Sequence, residues 1–382
     1  MRTEYELGEL LEYEQPTKYA VESTKYDDKY STPVLTAGKS FILGYTNETE
    51  GIYDNLPVII FDDFTTATQY VNFKFKVKSS AMKILKADEE LALTKYLYYL
   101  MQTIHCDHDT HKRYWIQTYS KIKVAIPDIT EQQRIVTKIE ELFSKLDKGV
   151  EELNKIKEQL KIYRQAVLKE AFESDNTWID CVIGDVITVL TDYHANGSYE
   201  ILKENVELLN EPNYAIMVRS TNFEKNDFTN DVKYIDKKAY DFLKKSQLLG
   251  DEILIGKIGN AGKIYLMKKL GRPASLAMNM FAIRFNESIN RLFAYYFLIS
   301  NEAENDIKTY VKGVGTPTID KKSVRSIRFR YPDILKQKEI VKNIEEKLSV
   351  CDKIEQTVNE SLQKAESLRQ SILKQAFEGK LV

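Results

Sequence analysis

Four stretches carry residue types that could do chemistry. Asn210-Glu211-Pro212-Asn213-Tyr214 approaches the Asn/Asp-Pro-Pro-Tyr/Phe turn that methyl transfer to a base amino group needs, but it lacks the paired prolines. Gly256-Lys257-Ile258-Gly259-Asn260-Ala261-Gly262-Lys263 reads like a phosphate loop. It fails because a P-loop needs Gly where Lys257 sits and Ser or Thr where Ile264 sits, and no strand-linked GxGxxG is found elsewhere. Pro332-Asp333 followed by Glu345-Glu346-Lys347 has the order of a metal-dependent nuclease. Such acids must converge from adjacent strands, whereas this triplet falls in a heptad pattern. His105, His108 and His111 lie close together with Cys106, Asp107 and Asp109. Neighbouring ligands on one short loop close a tetrahedron poorly, so this reads as a polar loop and not as zinc. No Ser/His/Asp constellation is present. The expectation is a non-catalytic chain with no metal and no cofactor of its own. The Gly256–Lys263 stretch suits backbone and lysine contact with nucleic-acid phosphates better than nucleotide cradling.

Charge distribution supports that use. The net charge is −2, but residues 1–63 hold 5 Lys/Arg against 13 Asp/Glu, residues 74–123 hold 10 against 5, and residues 257–330 hold 14 against 5. Two basic stretches, one in each half, could each neutralise phosphates. A composition of 43% hydrophobic and 29% charged residues is that of a globular chain with room for two or three domains. No apolar run approaches the roughly 20 residues that span a bilayer. Met1-Arg2-Thr3-Glu4 opens no signal-peptide core, and Cys106, Cys181 and Cys351 form no CxxC pair, so a reducing, cytoplasmic setting is expected.

The elements that must position these loops are announced by a repeat. Residues 127–173 recur at 332–378 with a constant shift of 205 and no gap: Pro127-Asp128-Ile129 answers Pro332-Asp333-Ile334, and Ala171-Phe172-Glu173 answers Ala376-Phe377-Glu378. Each copy reads as a long helix after a proline, with Thr130 and Gln133 resembling a capping box and Gly379 a C-cap. The heptad seam is expected at Ile139, Leu142, Leu146, Leu153, Ile156, Leu160 and Val167, with Gly149 and Tyr163 in the same series. In the second copy it falls at Ile344, Ile354, Val358, Leu368 and Ile372, with Cys351 in line and Leu348 and Leu362 beside it. A long helix with one apolar stripe is marginal alone, so the two copies are expected to pair as an antiparallel coiled coil about a pseudo-two-fold axis.

The intervening segments, 1–126 and 175–331, read as mixed α/β. Strands are expected at 58–61, 73–77, 253–255 and 281–285, and helices at 91–102 and 292–307. The double tyrosines Tyr98-Tyr99 and Tyr295-Tyr296 on those helices are read as core and not as base-stacking platforms. Leu7-Gly8-Glu9-Leu10 loosely matches Ile183-Gly184-Asp185-Val186, which makes the second segment 29 residues longer. Two alike scaffolds with unlike surfaces suggest two different things being recognised.

The arrangement resembles the specificity (S) subunit of type I restriction–modification enzymes. The resemblance rests on Ile126-Pro127-Asp128-Ile129, Glu131-Gln132-Gln133-Arg134-Ile135-Val136, Ile139-Glu140-Glu141-Leu142-Phe143 and the helix ends. It continues in Gly250-Asp251-Glu252-Ile253-Leu254-Ile255, Gly259-Asn260-Ala261-Gly262 and Gly315-Thr316-Pro317. The second copy departs at Lys336-Gln337, where Glu-Gln is usual, and the first segment has His111-Lys112-Arg113-Tyr114-Trp115 in place of Gly-Thr-Pro. The resemblance implies an α+β chain: target recognition domain 1 (1–126), spacer helix 1 (127–174), target recognition domain 2 (175–331) and spacer helix 2 (332–382). It also implies double-stranded DNA, two methyltransferase (M) subunits and restriction (R) subunits as partners, with S-adenosylmethionine, ATP and Mg on those partners. Candidate DNA contacts are Lys257, Asn260, Lys263, Lys308, Lys312, Thr316, Lys321, Lys322 and Arg325 in the second domain. In the first they are Lys39, Tyr45, Lys74, Lys76, Lys78, Lys112, Arg113 and Tyr114. A specificity subunit of another methyltransferase–nuclease assembly, or a coiled-coil scaffold that binds no DNA, stays open at this point.

Overall fold

The computed structural model describes residues 2–36, 38, 40–104, 114–173 and 177–381. Two helices dominate it, Ile129–Ala171 of 43 residues and Ile334–Phe377 of 44 residues. Each starts behind its proline, but the cap is the aspartate. Asp128 Oδ1 accepts from the Glu131 amide, and Asp333 Oδ1 from the amides of Leu335 and Lys336. The expected Thr130/Gln133 box is therefore not the cap; Gln133 turns its amide to Thr137 instead. Gly379 does close the second helix, at φ +75°.

The chain divides into two compact units, 1–155 with 358–382 and 156–357, so both long helices run through both units. In the first unit a ribbon pairs Thr3–Glu6 with Lys123–Ile126 and leads straight into the first helix. A four-stranded antiparallel sheet follows in the order Leu11–Glu14, Met82–Ala87, Val58–Asp62, Thr68–Val71. The second unit repeats the plan. Its ribbon is Ile179–Val182 with Arg328–Tyr331, and its sheet runs Ile187–Asp192, Met280–Phe285, Ile253–Gly256, Ile264–Leu266. The loose match between residues 7–10 and 183–186 is real: both are one-turn helices whose N-cap amide is held by the acid at the third position, Glu9 or Asp185. Each unit adds a second sheet, and here the two differ, with three strands in the first and four in the second.

The strands expected at 58–61, 253–255 and 281–285 are present. That at 73–77 shrinks to Lys76–Val77, with Phe75 bridged to Tyr53. The helix expected at 292–307 is two helices, Arg291–Leu298 and Asn301–Tyr310, because Ser300 caps a new start by accepting from the Ala303 amide. The double tyrosines are half-buried against the cores.

Within each unit the helices run antiparallel. In the second, Arg164 reaches Asp352 (2.6 Å) and Glu355 (2.9 Å), and Glu170 meets Lys347 (2.9 Å). In the first, Asp147 pairs with Arg369, whose guanidinium lies 4.2 Å from the Phe143 ring centroid. The start of each helix sits on its own domain and receives the end of the other helix. Ile135, Val136, Ile139 and Phe143 cluster with Ile372, Leu373 and Ala376. Ile340, Val341 and Ile344 cluster with Val167, Leu168 and Phe172.

The seam corrects the expected register in part. The covered positions are Ile139, Phe143, Leu146, Val150, Leu153, Lys157, Leu160, Arg164 and Val167. Those on the second helix are Ile344, Leu348, Cys351, Glu355, Val358, Leu362, Ala365, Arg369 and Ile372. The first heptad position is as expected throughout; the second is covered four residues on in every heptad, and three residues on only at Leu142, Ile156, Lys347 and Ser361. Leu142 and Ile156 are half-buried, as Leu146, Val150 and Leu153 are, whereas Ile354 (42% exposed), Leu368 (50%) and Tyr163 (49%) face outward. Positions three and four residues on lie to either side of the same helix face, so both frames fit the apolar stripe. The cross-helix ion pairs occupy the frame that the structure adopts. Ile139→Ala and Ile344→Ala, both fully buried, are expected to cost about 3 kcal/mol each in denaturant titrations. Ile354→Ala and Leu368→Ala are expected to cost no more than ~0.5 kcal/mol.

Candidate nucleic-acid interface

In the second unit three loops at one end of the four-stranded sheet are stitched into a single platform. The turn between Ile253–Gly256 and Ile264–Leu266 is closed by the Gly256 amide on the Lys263 carbonyl (2.8 Å). A side chain at Gly256 would lie 1.9 Å from the Asn260 carbonyl oxygen, so only glycine fits there. The neighbouring 311–320 loop folds on itself through reciprocal Lys312 and Thr318 backbone bonds (2.8 and 2.9 Å). It docks on the turn through the Gly259 amide to Pro317 O (2.9 Å) and the Ile319 amide to Lys257 O (3.1 Å). Gly313 turns it at φ +95°. The third loop joins where the Lys257 amide donates to Asn279 O (2.8 Å). The Gly-Asn-Ala-Gly and Gly-Thr-Pro elements, more than fifty residues apart in sequence, thus form one surface. A recess of about 340 Å³ opens beside it, lined by Tyr193, Leu202, Met217, Arg219, Met278 and Asn279 among others.

Two carboxylates that sequence reasoning missed organise this surface. Asp192, on the last residue of its strand and 4% exposed, accepts from Lys257 and Lys321, each at 2.7 Å. Burial pushes its carboxyl up, but the two ammoniums together outweigh that and hold it below the ordinary range. Glu224 accepts from Lys263 (2.6 Å) and the Tyr265 hydroxyl (2.5 Å), and Asn260 Nδ2 lies 3.5 Å from it. The Lys263 bond, followed by that of Tyr265, lowers its pKa. No sequence signal linked Asp192 to Lys257; the strand pairing brings them together.

The candidate residues therefore sort into classes. Lys257 and Lys321 tie loops to the sheet, Lys263 and Asn260 lean on Glu224, and Lys308 pairs with Glu304 one turn away on its own helix (2.8 Å). Among the described residues, Lys312, Lys322 and Arg325 take part in no ion pair within 4 Å, and Thr316 is exposed at the loop tip. These have the freedom to meet a ligand.

The first unit is different. Lys39, Lys112, Arg113 and the histidine cluster lie outside the described residues. Lys76 is corrected: it is 4% exposed, with its ammonium on Glu48 (3.0 Å) and the Glu50 carbonyl (2.6 Å), so it cannot meet DNA. Tyr114 is corrected for the same reason: it opens the short helix Tyr114–Gln117 and is buried in the core. Tyr45 is half-buried on a strand, Lys74 pairs loosely with Asp54 (3.6 Å), and Lys78 is exposed. The turn equivalent to Gly256–Lys263 is Asp62–Thr68. Asp62 Oδ1 caps the amides of Phe64 and Thr65, and Phe64 is exposed. Only the matched strand order reveals that turn as a candidate.

Among the described residues, the phosphate-loop-like and nuclease-like stretches hold no catalytic geometry. The Gly256–Lys263 turn runs into a strand and not a helix, as a phosphate loop would. Asp333 is a helix cap, while Lys347 sits more than three turns along and pairs with Glu170. Among the described residues, no group of three or more His, Cys, Asp or Glu is placed to hold a metal. No helix among them is long and apolar enough to cross a membrane.

Comparison with known proteins agrees with this geometry. Residues 176–364 match the family model of the type I restriction modification DNA specificity domain. The specificity subunit of the type I restriction enzyme EcoR124I/EcoR124II of Escherichia coli is 33% identical over 379 residues, spanning 95% of this chain and 90% of that one. The chain belongs to the type I restriction–modification specificity subunits. A more distant relative, the MjaVIII specificity subunit of Methanocaldococcus jannaschii, is 22% identical and spans 98% of this chain and 92% of its own. A solved chain from a structural study of assembly and conformational transition in the type I R-M system shares the fold. Its TM-score is 0.67 over 99% of this chain and 100% of its own, at 16% identity. This specificity subunit is thus a DNA-recognition component and not a catalyst. Its cations that take part in no ion pair should act through phosphate. Lys312→Ala and Arg325→Ala are each expected to weaken DNA binding by the methyltransferase-bound subunit and to flatten the log–log salt slope by about 1, read by fluorescence anisotropy. Lys76→Ala, at a buried ion pair, should leave that slope unchanged.

Proposed function

We propose that this specificity subunit reads a bipartite, asymmetric DNA target, one half-site per unit, with a non-specific gap set by the paired helices. One observation carries the reading. Both units present a turn at the same place on sheets of the same strand order, yet the turns are chemically unlike: Asp62-Asp63-Phe64-Thr65 in one, Lys257-Ile258-Gly259-Asn260 in the other. Equivalent placement suits two readers, and unlike side chains suit two different half-sites. Base edges in a major groove are told apart by bidentate donors and acceptors, for which Asn260 and Thr316 are the exposed polar candidates, while Lys312, Lys322 and Arg325 suit phosphates.

In this reading the chain carries recognition only. Two methyltransferase subunits grip the helices and domains, and restriction subunits join that core. The partners bring S-adenosylmethionine, ATP and Mg, and the methyltransferase flips an adenine out for N6 methylation. The setting is cytoplasmic, where such a complex meets DNA.

The ruler is tested by removing one heptad from each helix, Leu153–Gln159 together with Val358–Lys364. Seven helical residues span about 10 Å, or roughly three base pairs of axis. Sequencing of methylated bases in cells that carry the shortened subunit with its methyltransferase should show both half-sites unchanged and the gap shortened by about that much. An altered half-site with the original gap contradicts the ruler.

A further inference from the structure

Each long helix carries one fully buried amide in its first turns, at positions related by the repeat, Gln132 and Gln337. Their hydrogen bonds are the same bond for bond. Gln132 Oε1 accepts from the Leu93 amide (2.9 Å), and its Nε2 donates to Leu91 O (3.1 Å) and Pro127 O (2.9 Å). Gln337 Oε1 accepts from the Asn290 amide (2.7 Å), and its Nε2 donates to Ser288 O (2.9 Å) and Pro332 O (2.8 Å). Leu93 and Asn290 are the N-cap residues of the tyrosine-bearing domain helices Thr94–Met101 and Arg291–Leu298. Leu91 and Ser288 each stand two residues before that cap. One side chain thus fastens the start of the domain helix to the start of the rod, with both amide protons and the oxygen used.

Around this contact the seam between domain and rod is largely apolar: Ile135, Val136, Ile139 and Phe143 cluster with Tyr96 and Leu97, and Ile340, Val341 and Ile344 with Phe293 and Phe297. In the first unit a half-exposed ion pair, Lys95 to Glu140 (2.5 Å), adds a second polar link between the same two helices, but the glutamine bonds are the ones that are fully buried and present in both repeats. Apolar packing is non-directional and tolerates small rotations. Three hydrogen bonds from a planar amide to fixed backbone groups do not, and leaving those groups unpaired in a buried site is costly. The domain helix in turn packs on the core of the sheet that carries the recognition turn.

We propose that Gln132 and Gln337 are positioning residues that fix the angle between each recognition domain and its rod, and so restrict the subunit to a single gap length. This rests on the bipartite reading. The test co-expresses the full chain with its methyltransferase subunits in cells that carry plasmids in which the two half-sites are separated by gaps of varied length, and sequences the methylated bases. Gln132→Met and Gln337→Met keep the side-chain volume and remove all three bonds. The expected result is that methylation at gaps one base pair shorter or longer rises about tenfold, the scale of losing one to two buried hydrogen bonds, with both half-sites unchanged. A lowered melting temperature with the wild-type single gap would show a purely stabilising role and overturn the proposal. If a methionine variant fails to assemble, Gln132→Glu or Gln337→Glu, which keeps the acceptor for the domain helix, is read in the same assay against the same two outcomes. A wild-type complex that methylates at every gap length would refute the bipartite reading itself, which separates its failure from that of the glutamine lock.

Discussion

Each long helix is too narrow in its apolar stripe to stand alone, and that constraint organises the structure. A helix of 43 or 44 residues with one covered face needs partners along its length. The chain supplies two kinds. The first turns of each helix bury on its own recognition domain, and the same cluster takes in the last turns of the other helix. Neither helix can be completed by its own domain, so the two halves of the chain fold as mutual conditions. Arg2 and Arg330 show the same interdependence: each donates to the carbonyl of a phenylalanine at the end of a long helix, Phe377, its last residue, or Phe172, the residue just past it.

Much of this was legible in the sequence because the repeat forces the same physics twice. Ile139 and Ile344, Leu160 and Ala365, Val167 and Ile372 all fall where a heptad places them. What was not legible was which side of that stripe forms the seam. Ile354 and Leu368 are apolar and exposed beside it, while Arg164, Glu355 and Arg369 are polar and within it. Periodicity weighs side-chain type, whereas the seam depends on ion pairs whose partners lie on the other helix. The break at Ser300 was hidden for a different reason. The stretch 292–307 is amphipathic on both sides of it, and a single serine cap is a weak signal inside a strong pattern.

The recognition surfaces were legible in composition and illegible in detail. Counting lysines located the basic stretch at 257–330, but the count cannot distinguish a lysine that ties a loop to a sheet from one free for phosphate. Asp192 makes that distinction for Lys257 and Lys321. In the first domain Glu48 makes it for Lys76, and Asp63 for Lys83 (3.5 Å). The rule shared by both domains is that a buried charge, the carboxylate of Asp192 or Asp63 or the ammonium of Lys76, is met by an opposite one, because an unpaired buried charge costs far more than a paired one.

That rule bears on how a platform can discriminate bases. A loop that must order itself on binding gives up part of its interaction free energy to conformational entropy, and the loss falls on right and wrong sequences alike. In the second domain the ordering is already complete in the free chain. Gly256 admits the tight turn, Lys257 and Lys321 are drawn onto Asp192, and Pro317 and Lys257 lend their carbonyls to neighbouring loops. The charged groups spent inside the platform are therefore not wasted for recognition. They hold in one arrangement the loops that carry the exposed Asn260, Lys312 and Thr316, and on the proposed reading a mismatched base would meet a surface unable to adjust to it. The same logic runs down to the rod, where Gln337 holds the domain helix with three bonds. Rigidity at the loop would count for little if the domain could turn on its stem, and the buried glutamine of each repeat opposes that turn, joined in the first repeat by the Lys95–Glu140 ion pair.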